Sequence, residues 1–168
     1  MFFRMADKLI DDGVFDRVIL ANACVGATTI LDWVSTPSLH RRLIVAPRRL
    51  AAVGLAVSAF LWMQGEGDHG TSQANYASRL ATLIGTPRAE AFNAPWLIGL
   101  CTYTEGATDA NVRAAQAAAV NGVDIFAGAD TDTLTGTTIY RAPDNIHFKD
   151  GGRTAAGDLW AAAIAAVF

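Results

Sequence analysis

The residues best suited to proton chemistry are Asp144 and His147, three apart in the stretch Arg141-Ala142-Pro143-Asp144-Asn145-Ile146-His147-Phe148. A short loop can fold back so that the carboxylate accepts a hydrogen bond from the imidazole Nδ1. That bond fixes the tautomer, stabilises the imidazolium and leaves Nε2 free to deprotonate a hydroxyl. A turn-forming aspartate beside a surface histidine has the same spacing, so the pattern alone does not decide between the two. A second group, Gln64-Gly65-Glu66-Gly67-Asp68-His69, puts two carboxylates and an amide directly after an apolar run. Asp68, Asp130, Asp132 and Asp144 are also hard oxygen ligands of the kind Mg²⁺ takes, which leaves a metal-dependent phosphohydrolase open as a reading.

Elements must bring these groups to one place, and the chain alternates helical and strand patterns. Phe2 to Asp12 reads as a helix, with Phe3, Met5, Ala6, Leu9 and Ile10 at helical spacing and Gly13 as its stop. Arg17 to Cys24 reads as a strand, Pro37 to Gly54 as a helix bent at Pro47, and Ala59 to Met63 as the next strand. Ser72 to Ile84 is helical, Trp96 to Cys101 a strand, and Thr108 or Asp109 caps a helix running to Asn121. Val123 to Ala127 is a short strand and Arg153 to Val167 a final alanine-rich helix. Strands separated by helices pair in parallel with right-handed crossovers, giving an α/β protein with a three-layer α/β/α sandwich as one domain over residues 1–168. Ligands of open parallel sheets bind beyond the carboxyl ends of the strands. There the sequence places Val25-Gly26-Ala27-Thr28-Thr29, the Gln64 to His69 segment, Thr102-Tyr103-Thr104-Glu105-Gly106, and Gly128-Ala129-Asp130-Thr131-Asp132.

Composition narrows the partners. With 52% hydrophobic and 17% charged residues the chain has much to bury and is an ordered globular protein. A net charge of -3, with arginines clustered only at Arg41, Arg42, Arg48 and Arg49, is poor material for binding nucleic acid. The run from Leu50 to Met63 is too short for a membrane span, and the first residues hold no basic stretch followed by an apolar one, so no export signal is visible in the chain. Localisation stays open. Cys24 and Cys101 read as small buried residues at strand ends, with a disulfide between them an open alternative.

Three segments in order, Val25-Gly-Ala-Thr-Thr-Ile-Leu-Asp-Trp33, Trp62-Met-Gln-Gly-Glu-Gly-Asp68 and Asp144-Asn-Ile-His147-Phe148, resemble blocks of the SGNH (GDSL-like) hydrolase superfamily. The branch they resemble is that of the sialate O-acetylesterases and plant-type acetylxylan esterases, carbohydrate esterase family six. There the first block reads Gly-Gly-Thr-Ser-Ile with a tryptophan three residues on, the second Trp-x-Gln-Gly-Glu followed by Asp or Asn, and the third Asp-x-x-His. The resemblance runs from about Ala6 to the C-terminus. It implies a flavodoxin-like parallel sheet, an acetylated carbohydrate substrate, and a serine esterase that needs no metal and no organic cofactor. Carried over, His147 is the general base, Asp144 its orienting carboxylate, Gly26 a backbone oxyanion donor and Gln64 the side-chain candidate near that hole, with Glu66 and Asp68 bracing the loop. Ala27 departs from the pattern by replacing the second glycine, a change tolerated without strain only where φ is negative.

The resemblance also implies a serine in an N-terminal Gly-x-Ser-Asn or Gly-Asp-Ser block on the first strand, and the chain holds none. Its serines are Ser35, Ser38, Ser58, Ser72 and Ser78, all in other contexts. The serine strand would lie between Arg17–Cys24 and Ala59–Met63, so the sheet is expected to lack its first strand and to expose two inner edges. The domain is therefore read as N-terminally incomplete, with the nucleophile upstream of or outside this chain. The alternatives are a strand supplied by a partner chain or exchanged in a homo-oligomer, and direct pairing of the two edges into a fold without this chemistry. Beside the esterase stands a non-catalytic carbohydrate-binding or assembly domain, with Trp33, Trp62, Trp96 and Tyr103 as candidate sugar-stacking rings.

Overall fold

The computed structural model describes residues 1–168. Its sheet has three parallel strands in the order β1 (Phe60–Trp62), β2 (Trp96–Leu100), β3 (Ile125–Asp130). Phe60 pairs with Trp96 and Trp96 with Ile125. Seven helices surround it: α1 (Phe2–Asp11), α2 (Ile30–Ser35), α3 (Pro37–His40), α4 (Arg42–Ala52), α5 (Gln73–Arg88), α6 (Ala110–Ala118) and α7 (Asp150–Ala165). The helix expected over Pro37 to Gly54 is two helices, and Pro47 sits inside the second.

Side chains alternate across the pleat, which divides the core into two layers. Trp62, Trp96 and Ile98 face α2, α4, α5 and α6, where Trp33, Leu43, Tyr76, Leu80, Leu83 and Val112 are buried with them. Leu97 and Ala129 face α1 and α7, against Met5, Leu9, Trp160 and Ile164. The sheet thus has helices on both faces, the α/β/α sandwich that its sequence pattern implies. Each fully buried side chain of this kind contributes about 1.5–3 kcal/mol of transfer free energy. The helical spacing of Met5 and Leu9 buries one stripe of α1, and the small residues of α7 let the two helices approach. A Cβ on Gly157 would lie 2.8 Å from the Met1 carbonyl oxygen. Glycines also admit Trp160 to the sheet, since a Cβ on Gly99 would stand 2.9 Å and one on Gly128 2.7 Å from its ring.

One expected strand does not form. Arg17 to Cys24 runs without regular structure, and its residues make no backbone–backbone hydrogen bond. Apolar composition gives strand propensity, but a strand needs a neighbour to accept its ladder. On this side of the sheet β1 pairs only with β2. Cys24 is exposed and Cys101 buried, both as free thiols, which corrects the expectation that both are buried and leaves no disulfide between them. No helix is long and apolar enough to cross a membrane.

Candidate active site

Four loops meet at the carboxyl edge of the sheet. The first leads into α2: the Thr28 hydroxyl donates to the Val25 carbonyl at 3.0 Å and accepts from the Trp33 indole at 2.9 Å, and Thr29 caps the helix in a reciprocal pair with Asp32. Ala27, between Gly26 and Thr28, takes φ +57°. The expectation that alanine is tolerated here without strain only where φ is negative is not met, and the left-handed conformation costs about 1 kcal/mol.

The second loop leaves β1 and carries the Gln64–Asp68 motif. Gln64 Nε2 donates to the Thr28 carbonyl at 3.1 Å and to the Asp68 carboxylate, while its Oε1 accepts from the Tyr76 hydroxyl at 3.0 Å. Asp68, 3% exposed, also accepts from the Ile30 amide at 2.8 Å and so ties this loop to the start of α2. Gly65 has φ +155°, and a Cβ there would fall 2.3 Å from the Cys101 carbonyl oxygen, so the motif needs glycine at this point. Glu66 accepts from the Cys101 thiol at 3.0 Å. Burial first, and then the neighbouring Glu66 carboxylate, push that thiol well above its ordinary range.

The third loop leaves β2. Asp132, just beyond β3, accepts from the Thr102 amide at 2.6 Å, the Thr102 hydroxyl at 2.7 Å and the Tyr103 amide at 2.8 Å. Arg113 on α6 bridges Asp130 at 2.9 Å and Asp132 at 2.6 Å. Burial raises the Asp132 pKa, and these donors outweigh it, leaving the carboxyl below its usual value. With Asp130 and Asp132 held by Arg113 and the backbone, and Asp68 by Gln64 and Ile30, these carboxylates are engaged within the protein. They are not gathered with Asp144 into a ligand set.

The fourth loop, between β3 and α7, carries the Asp-x-x-His motif. Asp144 Oδ1 accepts from the amides of Ile146 at 2.9 Å and His147 at 3.0 Å, while Oδ2 lies 2.8 Å from His147 Nδ1. Asn145 turns the chain at φ +56°, a conformation asparagine tolerates better than most residues. The Ile146 amide, the His147 ring and the His147 amide lower the Asp144 pKa from 3.8 to about 2. A carboxylate in that state only accepts, so Nδ1 carries the proton and Nε2 is the basic nitrogen. The imidazole is 80% exposed and its Nε2 has no partner in the chain.

The loops adjoin in series around the rim. His69 bonds the Thr102 carbonyl at 2.6 Å, and the Tyr103 hydroxyl donates to Asn145 at 3.1 Å. Gly26 and Gln64 thus reach Asp144 and His147 by way of the Cys101–Gly106 loop, and no hydrogen bond joins the two pairs directly. Gly26 is exposed with its amide unbonded, whereas both Gln64 amide hydrogens are used inside the loops. Trp33, Trp62, Trp96 and Tyr103 are all buried, with Trp33 packed edge-on to Trp62 at 5.6 Å. The serines lie elsewhere: Ser35 bonds the Leu31 carbonyl, Ser72 caps α5, Ser38 and Ser78 lie within α3 and α5, and Ser58 precedes β1 at the opposite edge. Sequence reasoning gave no role to Tyr76, Arg113 or Arg141. Their one signal was position, a polar side chain at an otherwise apolar register of a helix or beside a motif.

Comparison with known proteins adds the lineage to this geometry. Neither a curated protein nor a solved structure matches the chain. The family described as carbohydrate esterase, sialic acid-specific acetylesterase, matches residues 2–166, and it is to this carbohydrate esterase family that the chain belongs.

Proposed function

We propose that the chain is the acid–base part of a carbohydrate O-acetylesterase that works through an acyl-enzyme, its serine supplied by a segment outside these 168 residues. The observation that carries the proposal is the 2.8 Å Asp144–His147 contact, with the basic Nε2 turned to an open rim. The serine hydroxyl oxygen attacks the acetyl carbonyl carbon as its proton passes to Nε2. Asp144 stabilises the imidazolium so formed. The carbon–oxygen bond to the sugar then breaks, and the proton on Nε2 goes to the departing alkoxide. Water, deprotonated by the same nitrogen, releases acetate and restores the serine.

Negative charge that builds on the carbonyl oxygen needs fixed donors. The free Gly26 amide supports that role. Gln64 can donate to an oxyanion only by releasing the Thr28 carbonyl or Asp68, so in this conformation it shapes the turn, while Glu66 and Asp68 brace it. Acetate release from O-acetylated sugars by the natural protein that includes the serine segment tests the reading. There His147→Ala is expected to lower kcat by about three orders of magnitude or more. A loss under about tenfold removes His147 from the mechanism. Sugar affinity without ester turnover in the intact protein would favour the non-catalytic carbohydrate-binding reading.

A further inference from the structure

The loop that carries Asp144 and His147 has no ladder of its own beyond one bridge, Arg141 to Phe148. Its own backbone bonds, Ala142 amide to His147 carbonyl at 2.7 Å and Lys149 amide to Tyr140 carbonyl at 3.0 Å, close the loop on itself but do not tie it to the sheet, and Arg141 lies beneath it. The side chain is 2% exposed and forms no ion pair. Its three nitrogens diverge onto three carbonyl oxygens: Nε to Leu134 at 2.7 Å, Nη1 to Ile146 at 2.6 Å and Nη2 to Thr131 at 3.0 Å. The guanidinium carbon also lies over the Phe148 ring, 4.0 Å from its centre, and over the Tyr103 ring, 4.7 Å from its centre. Tyr103 in turn donates to Asn145.

These partners surround the histidine in sequence. Ile146 precedes it, Phe148 follows it, and Asn145 forms the turn, yet neither Arg141 nor Tyr103 hydrogen-bonds the imidazole. Burying a guanidinium with no carboxylate in contact is costly, and burial outweighs the pull of the nearby Glu66 and Asp132 charges, so packing alone would be served better by an apolar side chain. A flat fork is what three carbonyls and two ring faces require, and a lysine cannot supply it. Thr131 and Leu134 belong to the exit from β3, so the fork ties the His147 loop to the sheet rather than only to itself.

We propose that Arg141, backed by Tyr103, is the positioning residue for His147, holding the carbonyl before it and the ring after it so that Nδ1 stays on Asp144 and Nε2 faces the rim. The catalytic part of this inference rests on the esterase reading above, whereas the positional part does not. Nitrogen-15 spectra of the His147 ring at alkaline pH decide the positional part in the 168-residue chain. Wild type is expected to show the Nδ1-protonated tautomer alone. Arg141→Lys and Arg141→Gln should shift both ring nitrogens toward the exchanging mixture of a free imidazole and speed amide exchange at Ile146 and His147 by about tenfold or more.

Tyr103→Phe keeps the ring stack and removes only the bond to Asn145, so it should move the same signals less far. In the natural protein with its serine segment, the Arg141 variants should lose about 10- to 100-fold in kcat with KM changed little, because a misplaced base costs turnover more than binding. Folded Arg141 variants whose His147 nitrogens keep the wild-type shifts would overturn the inference. So would full recovery of kcat by lysine. If the Arg141 variants do not fold, Tyr103→Phe decides, and an unchanged His147 spectrum there overturns it. Absence of turnover in the wild type would instead count against the esterase reading and leave the spectral result standing.

Discussion

Asp144 receives three hydrogen bonds from two residues immediately downstream, and this local closure sets how the loop responds to acid. Because its folded pKa falls from 3.8 to about 2, the folded state favours the ionised form. The resulting stability is present in full above about pH 4 and is lost as pH falls through about 2. Asp144→Asn removes the titration, so the gap in urea midpoint between wild type and variant should narrow as pH drops across that window. A gap that stays constant from neutral pH down to 2 would contradict the assignment. The closure is legible in the sequence because every participant lies within four residues. Arg141 is not legible in the same way: its partners at Tyr103, Thr131 and Leu134 are distant in the chain, and only the fold brings them under the loop. Ala27 shows the reverse limit. Its departure from glycine is visible in the sequence, but its φ of +57° is not, because the bonds that Gln64 and Trp33 make to Thr28 fix that turn from outside.

Among the elements, β2 was readable because a continuous apolar run buried on both faces has few other uses, whereas β3 is mostly half-buried and runs Ile125–Asp130, two residues later in its start than the Val123 that the sequence suggests. Their glycines were less readable, since a glycine inside a strand pattern argues against the strand unless something lies against it. Here Trp160 of α7 does. A Cβ on Gly128 would meet its ring at 2.7 Å and the Gly99 amide nitrogen at 2.8 Å, the second of which no rotamer change relieves. Gly128→Ala is therefore expected to destabilise by about 1–3 kcal/mol. Gly85, inside α5, offers a control, because a Cβ there meets nothing within 4 Å. Gly85→Ala should stabilise by about 0.5–1 kcal/mol, by restricting the unfolded chain and favouring the helix. Urea midpoints of the two variants should move in opposite directions from wild type; a shared direction would mean that α7 does not press on the sheet as described.

Across the whole molecule, the sheet is asymmetric in how its edges are finished. The Phe60 amide donates toward β2, to the Pro95 carbonyl at 2.9 Å, so the alternation of a parallel strand turns the Leu61 amide and carbonyl to the other side, where β1 has no neighbour. Arg17 to Cys24, without regular structure, makes no backbone–backbone hydrogen bond either, with Ile19 52% and Leu20 38% exposed. Backbone groups in this state are a template for another strand, and the half-buried Leu61 and Met63 give it an apolar floor. The 168-residue chain by itself is thus expected to self-associate through β1, its sedimentation-average mass rising with concentration across the micromolar range, and the Leu61 amide should become protected from exchange only as association proceeds. If, as the proposed function requires, a further segment pairs a strand with that edge, the longer chain should stay concentration-independent, with Leu61 protected throughout. Protection of the Leu61 amide in a dilute, monomeric sample of the 168-residue chain would show that its own Arg17–Cys24 segment closes the edge. The Asp144–His147 loop would then sit on a sheet with no place for a serine strand beside β1, and the acyl-enzyme reading would fail with it.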